Sequence, residues 1–317
     1  MSTREDRDPV GADRIEGGVT TADGRERPVL VGLLAAVFLL AAAVTTVRNP
    51  QGLVPSADPG YAPVPVPLLL VPAALTIALV LVLPRGRGSA RPVPRRPRSL
   101  RGELAALLAL VLAFPLLVPL LPRPEDYVLL KAALFLLLPP LGLWIAARVR
   151  GASLDLRRPA VRWWIPLLPA LVLGVLSTVG PFSTGAPAAW PPLAVLLVGA
   201  TATAITAGLG EELMYRRFLQ TRLEAVLGPR AGLLGASLLF GLMHAFSHGE
   251  GALWENVLQV IALQGTTGIA LGMLWQRWRR LRVCVLAHVL LNGLGVLQPL
   301  GPALGGPSGG ARFLLAA

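Results

Sequence analysis

Two adjacent carboxylates, Glu211 and Glu212, close an apolar run in the stretch AITAGLGEELMYRRFLQ (204–220), and Arg216 follows four residues after the second. The chain has three histidines. His244 in FGLMHA and His288 in LAHVLLNG lie within or at the end of apolar segments, whereas His248 in SHGE reads as a surface turn residue. An ionisable side chain inside an apolar segment is costly and is a functional candidate by default. A carboxylate withdrawn from water suits a proton acceptor, and the imidazoles and the amide of Asn292 suit a developing negative charge where water is excluded.

Helical spacing groups these residues. Glu212 and Arg216 are i,i+4 with the carboxylate first, the favourable order for an ion pair, and are read as structural. Glu211 is one residue back, about 100° around an α-helix, and faces a different partner. Phe240 and His244 share a face, as do His288 and Asn292. With a turn at Gly228–Arg230, Glu211 and His244 lie level on antiparallel helices, and all four candidate groups converge in the cytoplasmic half of a bilayer. Each feature has an ordinary reading alone: an interfacial charge group, a packing histidine, an interhelical amide. Their combination favours chemistry.

The elements that position them are membrane spans. The chain has 317 residues, 54% of them hydrophobic and only 15% charged, against about 25% charged in soluble domains. Its one cysteine, Cys284, excludes an intrachain disulfide. Nine apolar runs, with eight to ten as the range, predict an all-α polytopic helical bundle: 29–47, 66–83, 104–121, 132–147, 163–179, 193–210, 231–243, 257–275 and 283–297. Prolines within them, such as Pro115, Pro139, Pro140 and Pro169, are tolerated in membrane helices, where neighbours re-satisfy the carbonyls. Gly268 and Gly272 form a small-xxx-small pair for close packing. Trp275 and Trp278, beside Arg277, Arg279 and Arg280, read as an interfacial belt.

With the N-terminus cytoplasmic, 25 of the 29 Lys and Arg residues fall in cytoplasmic segments; Arg48, Arg123, Lys131 and Arg312 fall on the opposite side. The positive-inside rule predicts this bias, so the net charge of +12 reflects orientation and not nucleic-acid binding. The expected organisation is a disordered cytoplasmic tail over 1–28, N-terminal transmembrane helices over 29–192, a catalytic core over 193–300 and a flexible tail over 301–317. The lipid bilayer is one expected partner. The near-exclusive use of arginine for basic residues points to a GC-rich bacterial genome, hence a bacterial cytoplasmic membrane.

Taken in order, EELMYR (211–216), FGLMH (240–244) and HVLLN (288–292) resemble the EExxxR, FxxxH and HxxxN motifs of the CPBP family, the CAAX-processing proteases and bacteriocin-processing or self-immunity proteins also called Abi. The resemblance covers 211–292, and Arg217 departs from the glycine that many members carry next to the first motif. It implies an intramembrane endopeptidase acting on a membrane-anchored peptide or CAAX-like protein. In that family Glu211 would be the general base, His244 would help position the water, and His288 with Asn292 would stabilise the oxyanion. A catalytic zinc, if used, would take Glu211, His244 and His288 as ligands. No HExxH is present, and a metal-free glutamate mechanism is the preferred expectation. Two other readings are a non-proteolytic scaffold or self-immunity protein and, with less support, a proton-coupled transporter. No motif residue is missing, as the scaffold reading would favour. The paired repeats of many transporters are not evident.

Overall fold

The computed structural model describes residues 26–54, 61–88, 90–183, 190–247 and 251–294. Most of the expected N-terminal tail, the C-terminal tail 301–317 and His248 lie outside them. Among the described residues, nine helical elements coincide with the nine apolar runs. They are α1 (Pro28–Arg48), α2 (Val66–Val82), α3 (Pro97–Leu120), α4 (Glu125–Arg150), α5 (Leu167–Leu176), α6 (Leu193–Leu227), α7 (Pro229–Leu242), α8 (Leu253–Trp278) and α9 (Leu281–Gly293). Five of them (α1, α3, α4, α6 and α8) are long and apolar enough to cross a membrane. The protein is an integral membrane helical bundle. Among the described residues, strand is confined to a short antiparallel ribbon, Val93–Pro94 (β1) with Leu154–Asp155 (β2).

Local sequence accounts for the boundaries. Pro28 and Pro97 open α1 and α3 in their first turns, where a missing N–H costs nothing. Gly228 at φ 91° makes the reversal from α6 to α7, and Pro229 then starts α7. The predicted span 193–210 differs most, since α6 runs on to Leu227, and 163–179 and 132–147 also differ from the structure. α5 occupies only 167–176, because Pro166 lies at its N-cap and regular helix ends at Ser177. α4 extends to both sides of its apolar run, with Glu125 and Asp126 in its first turn, where the helix dipole favours acids.

The helices are not uniform. α4 over Ala132–Leu137, α6 over Ala204–Gln220 and α8 over Ile261–Gly265 widen into π-helical turns. Such turns are rare and frequently mark functional sites. The first two pack against each other. The i,i+4 reading of 211–216 therefore applies to a backbone wider than the α-helix assumed from sequence.

Small residues let helices approach around this region. A Cβ on Gly208 of α6 would come within 2.4 Å of Val289 Cγ2 in α9, and one on Gly174 of α5 within 2.4 Å of Leu290 Cβ. Gly268 and Gly272 are close-packing positions as expected, against Ser237 and Phe240 of α7 and against Gln220 of α6. The belt expectation is corrected. Trp275 and Trp278 are fully buried. Their indole N–H groups donate to Thr221 Oγ1 at 3.0 Å and to the Pro84 carbonyl at 3.0 Å. Each ring's polar edge finds a partner inside the protein, so neither ring needs the membrane surface.

The α6–α7 hairpin gives a direct test. A Cβ on Gly232 would sit 2.3 Å from the Glu224 backbone nitrogen, and a backbone atom cannot step aside as a side chain can. Gly232→Ala should lower thermal stability in detergent by about 1–3 kcal/mol through overpacking. Gly102→Ala, which meets nothing within 4 Å, should be neutral or stabilising by up to about 1 kcal/mol. Equal unfolding temperatures for the two variants would refute the close approach.

Candidate active site

The π-helical part of α6 carries Glu211, Glu212 and Arg216, all buried to within 1% of complete. α9 presents His288 to them, 4% exposed. Its Nδ1 lies 2.8 Å from Glu212 Oε1, and its Nε2 lies 3.8 Å from Glu211 Oε2. The Arg216 Nε donates to Glu212 Oε2 at 3.2 Å. The expected Glu212–Arg216 ion pair is present, but Glu212 does more than hold the helix. A carboxylate accepting from one imidazole nitrogen fixes the ring's orientation and decides which nitrogen faces the site.

α4 supplies a residue that the sequence does not point to as part of the site: Lys131, the chain's only lysine. It is 5% exposed, and its Nζ donates to Glu211 Oε1 at 2.7 Å. The ammonium also lies 4.7 Å from the centre of the Tyr127 ring and 5.7 Å from that of Phe114. Glu211 therefore has a buried counter-ion on one oxygen. Its other oxygen, Oε2, is buried without a hydrogen-bond partner among the described residues. The separation of 3.8 Å from His288 Nε2 is too long for a direct hydrogen bond.

Aromatic rings join the remaining candidate to this group. Phe240 of α7 has its ring centre 5.3 Å from that of His244 and 5.9 Å from that of His288, and the Arg216 guanidinium lies 4.5 Å above it. His244 follows the end of α7. Its Nδ1 is 2.9 Å from the Phe240 carbonyl oxygen, which only accepts, so Nδ1 carries the proton and Nε2 the lone pair. Tyr215 and Phe135 continue the edge-to-face series at 5.3 and 5.7 Å. Asn292 lies one helical turn beyond His288 and is exposed. No hydrogen bond or ion pair among the described residues joins it to the other candidates.

The donor set does not suit zinc. Among the described residues, no three His, Cys, Asp or Glu side chains gather as a metal site. Lys131 already occupies one oxygen of Glu211. A lysine cation against the would-be ligand Glu211 also repels a divalent ion.

Sequence comparison agrees with the stretch that carries these groups. Residues 191–294 match the family described as type II CAAX prenyl endopeptidase, Rce1-like. No curated protein and no solved structure matches the chain. The match covers a third of the chain, describes a family of peptide hydrolases, and agrees with the resemblance that the three motifs carry. Lys131 lies outside the matched stretch.

Breaking one side of a buried pair strands the other charge, a loss of about 3–5 kcal/mol. Lys131→Met and Glu211→Gln should each lower the unfolding temperature in detergent. The double variant should lose clearly less than the two together, because neither charge is then left alone. Additive losses would show that the two groups do not pair.

Proposed function

We propose that this chain is an intramembrane endopeptidase that hydrolyses a peptide bond in a membrane-tethered, CAAX-like peptide or protein at the cytoplasmic side of a bacterial membrane. The observation that carries this reading is Glu211: one oxygen held by Lys131, the other buried, without a hydrogen-bond partner among the described residues and 3.8 Å from His288 Nε2. The family match supports the same reaction class. The residues over 193–300, with Lys131 added from the N-terminal helices, make up the machinery.

In this mechanism Glu211 Oε2 takes a proton from water as the water oxygen bonds to the scissile carbonyl carbon. The carbonyl π pair moves onto oxygen. His244 orients the water through Nε2, the nitrogen left with its lone pair by the Phe240 contact. His288, its ring oriented by Glu212, faces the oxyanion through Nε2, and Asn292 adds a donor on the same helix. Collapse breaks the C–N bond, and Glu211 returns its proton to the departing amine. Lys131 keeps Oε1 occupied, so that Oε2 is the oxygen that does the proton transfer. It also supplies the counter-charge that a carboxylate removed from water requires. No step needs a metal.

Cleavage of a farnesylated peptide ending in a CAAX sequence, followed by mass spectrometry in proteoliposomes, tests the reaction. Glu211→Gln should abolish most turnover, and adding His288→Ala should cost little more, since residues acting as a unit lose activity non-additively. Asn292→Ala should lower kcat about 10²–10³-fold while leaving the unfolding temperature nearly unchanged. Treatment with a strong chelator should leave the rate intact. Undiminished cleavage by Glu211→Gln would remove that residue from the role of base, and activity lost to chelator and restored by zinc would replace the mechanism.

Orientation is tested separately. A reporter fused after Arg150 should read cytoplasmic and one fused after Ser183 should read on the opposite face. The same signal from both would overturn the proposed topology.

A further inference from the structure

The arginine-rich end of the bundle holds a cavity of about 520 Å³ that plays no part in the proposed hydrolysis. It lies where α2 and α8 end and α7 begins. Arg85, Arg91, Arg230, Arg277 and Arg279 line it, against the carboxylates of Glu26 and Glu224. Glu224 is committed to Arg279, whose Nη2 it accepts. Five positive charges and two negative ones around one cavity leave a strong attraction for an anion.

Several independent details point the same way. Arg279 is 1% exposed, yet its Nη1 has no hydrogen-bond partner among the described residues, and neither does the buried Nε of Arg277. A buried guanidinium N–H without an acceptor is a costly feature that an anion would relieve. The Arg279 backbone adopts φ 52° and ψ 35°, a left-handed conformation that is unfavourable for a side chain of this size. Backbone strain of this kind clusters at ligand sites. The 14-residue helix α7 directs its N-terminus at the cavity, and the Arg230 amide there already donates to a carboxylate oxygen of Glu26 at 3.1 Å. An anionic oxygen thus occupies the position that helix-end N–H groups favour.

Charge alone would suit any anion, but the remaining wall narrows the class. Val80 and Leu81 from α2 and Met273 from α8 also line the cavity, so cationic groups sit beside apolar helix surface. That pairing matches a phosphate group carried on a hydrocarbon body, and basic pockets between transmembrane helices hold anionic headgroups in this way.

We propose that this cavity is a binding site for a phosphate group, most favourably the headgroup phosphate of an anionic phospholipid. The site is separate from the Glu211–His288 cluster, and its occupancy does not depend on the proteolytic reading.

Native mass spectrometry of the full-length protein in detergent, titrated with dioleoylphosphatidylglycerol or dioleoylphosphatidylcholine, tests it. The wild type should retain one phosphatidylglycerol at least about tenfold more tightly than phosphatidylcholine. The Arg85→Gln/Arg230→Gln double variant should lose that preference by about tenfold or more, on the scale of two interfacial charges. Neither side chain has a hydrogen bond or ion pair within the described structure, so the unfolding temperature without added lipid should match the wild type. A second arm adds inorganic phosphate. Displacement of phosphatidylglycerol by millimolar phosphate would identify a site for the phosphate group alone, whereas displacement only by anionic lipid would identify the headgroup with its chains. Equal retention of the two lipids, or a preference unchanged in the double variant, would overturn the proposal.

Discussion

A buried carboxylate in an apolar bundle needs a counter-charge, and the arrangement of this protein's interior follows from that requirement. Glu211 and Glu212 are both almost fully removed from solvent. Left alone, each would carry a desolvation penalty of several kcal/mol. Lys131 answers one and Arg216 the other, while His288 stands between them. The two cations approach from different elements, so the two carboxylates have different partners. One is locked between a guanidinium and an imidazole. The other keeps an oxygen turned into the site.

Meeting this requirement fixes how three helices must pack. α4 has to bring Lys131 against α6, and α9 has to bring His288 against the same turns. Gly208 removes the side chain that would hold α9 away. The aromatic series from Phe114 through Phe135, Tyr215 and Phe240 fills the space around the charges with low-dielectric walls. Such walls strengthen every electrostatic interaction inside them, including one with a developing oxyanion.

A second set of buried charges secures the other half of α6. Glu103 of α3 accepts from Ser153 at 2.6 Å and from Arg222 at 2.8 Å. Gln220 donates to Glu224 at 2.8 Å and to the Gly272 carbonyl at 2.9 Å. These bonds tie α6 to α3 and α8 on the side of the bundle where the basic cavity opens. α6 thus carries the Glu211 cluster in its interior and, near its end, the acid that anchors Arg279.

The helical bundle, and the placing of Glu211, Glu212, Arg216, His244 and His288 in or beside apolar segments, were legible in the sequence. Runs of apolar residues long enough for a bilayer leave few alternatives to helix, since backbone groups there must be satisfied within the segment. The spacing of Glu212 with Arg216, and the placing of ionisable groups in apolar segments, likewise follow from local geometry. Tertiary structure decided what depends on residues far apart in the chain. Lys131 is 80 residues from Glu211, and nothing local distinguishes a lysine near a helix end that faces headgroups from one that turns inward onto a carboxylate. Being the only lysine among so many arginines was the one signal available. Trp275 and Trp278 show the same limit: a tryptophan near arginines suits a membrane surface equally well as a buried site with a polar partner, and only the position of Thr221 and Pro84 chose the second. The second role of Glu212 waited on α9 for the same reason, because an acid's partners are set by which helix packs against it.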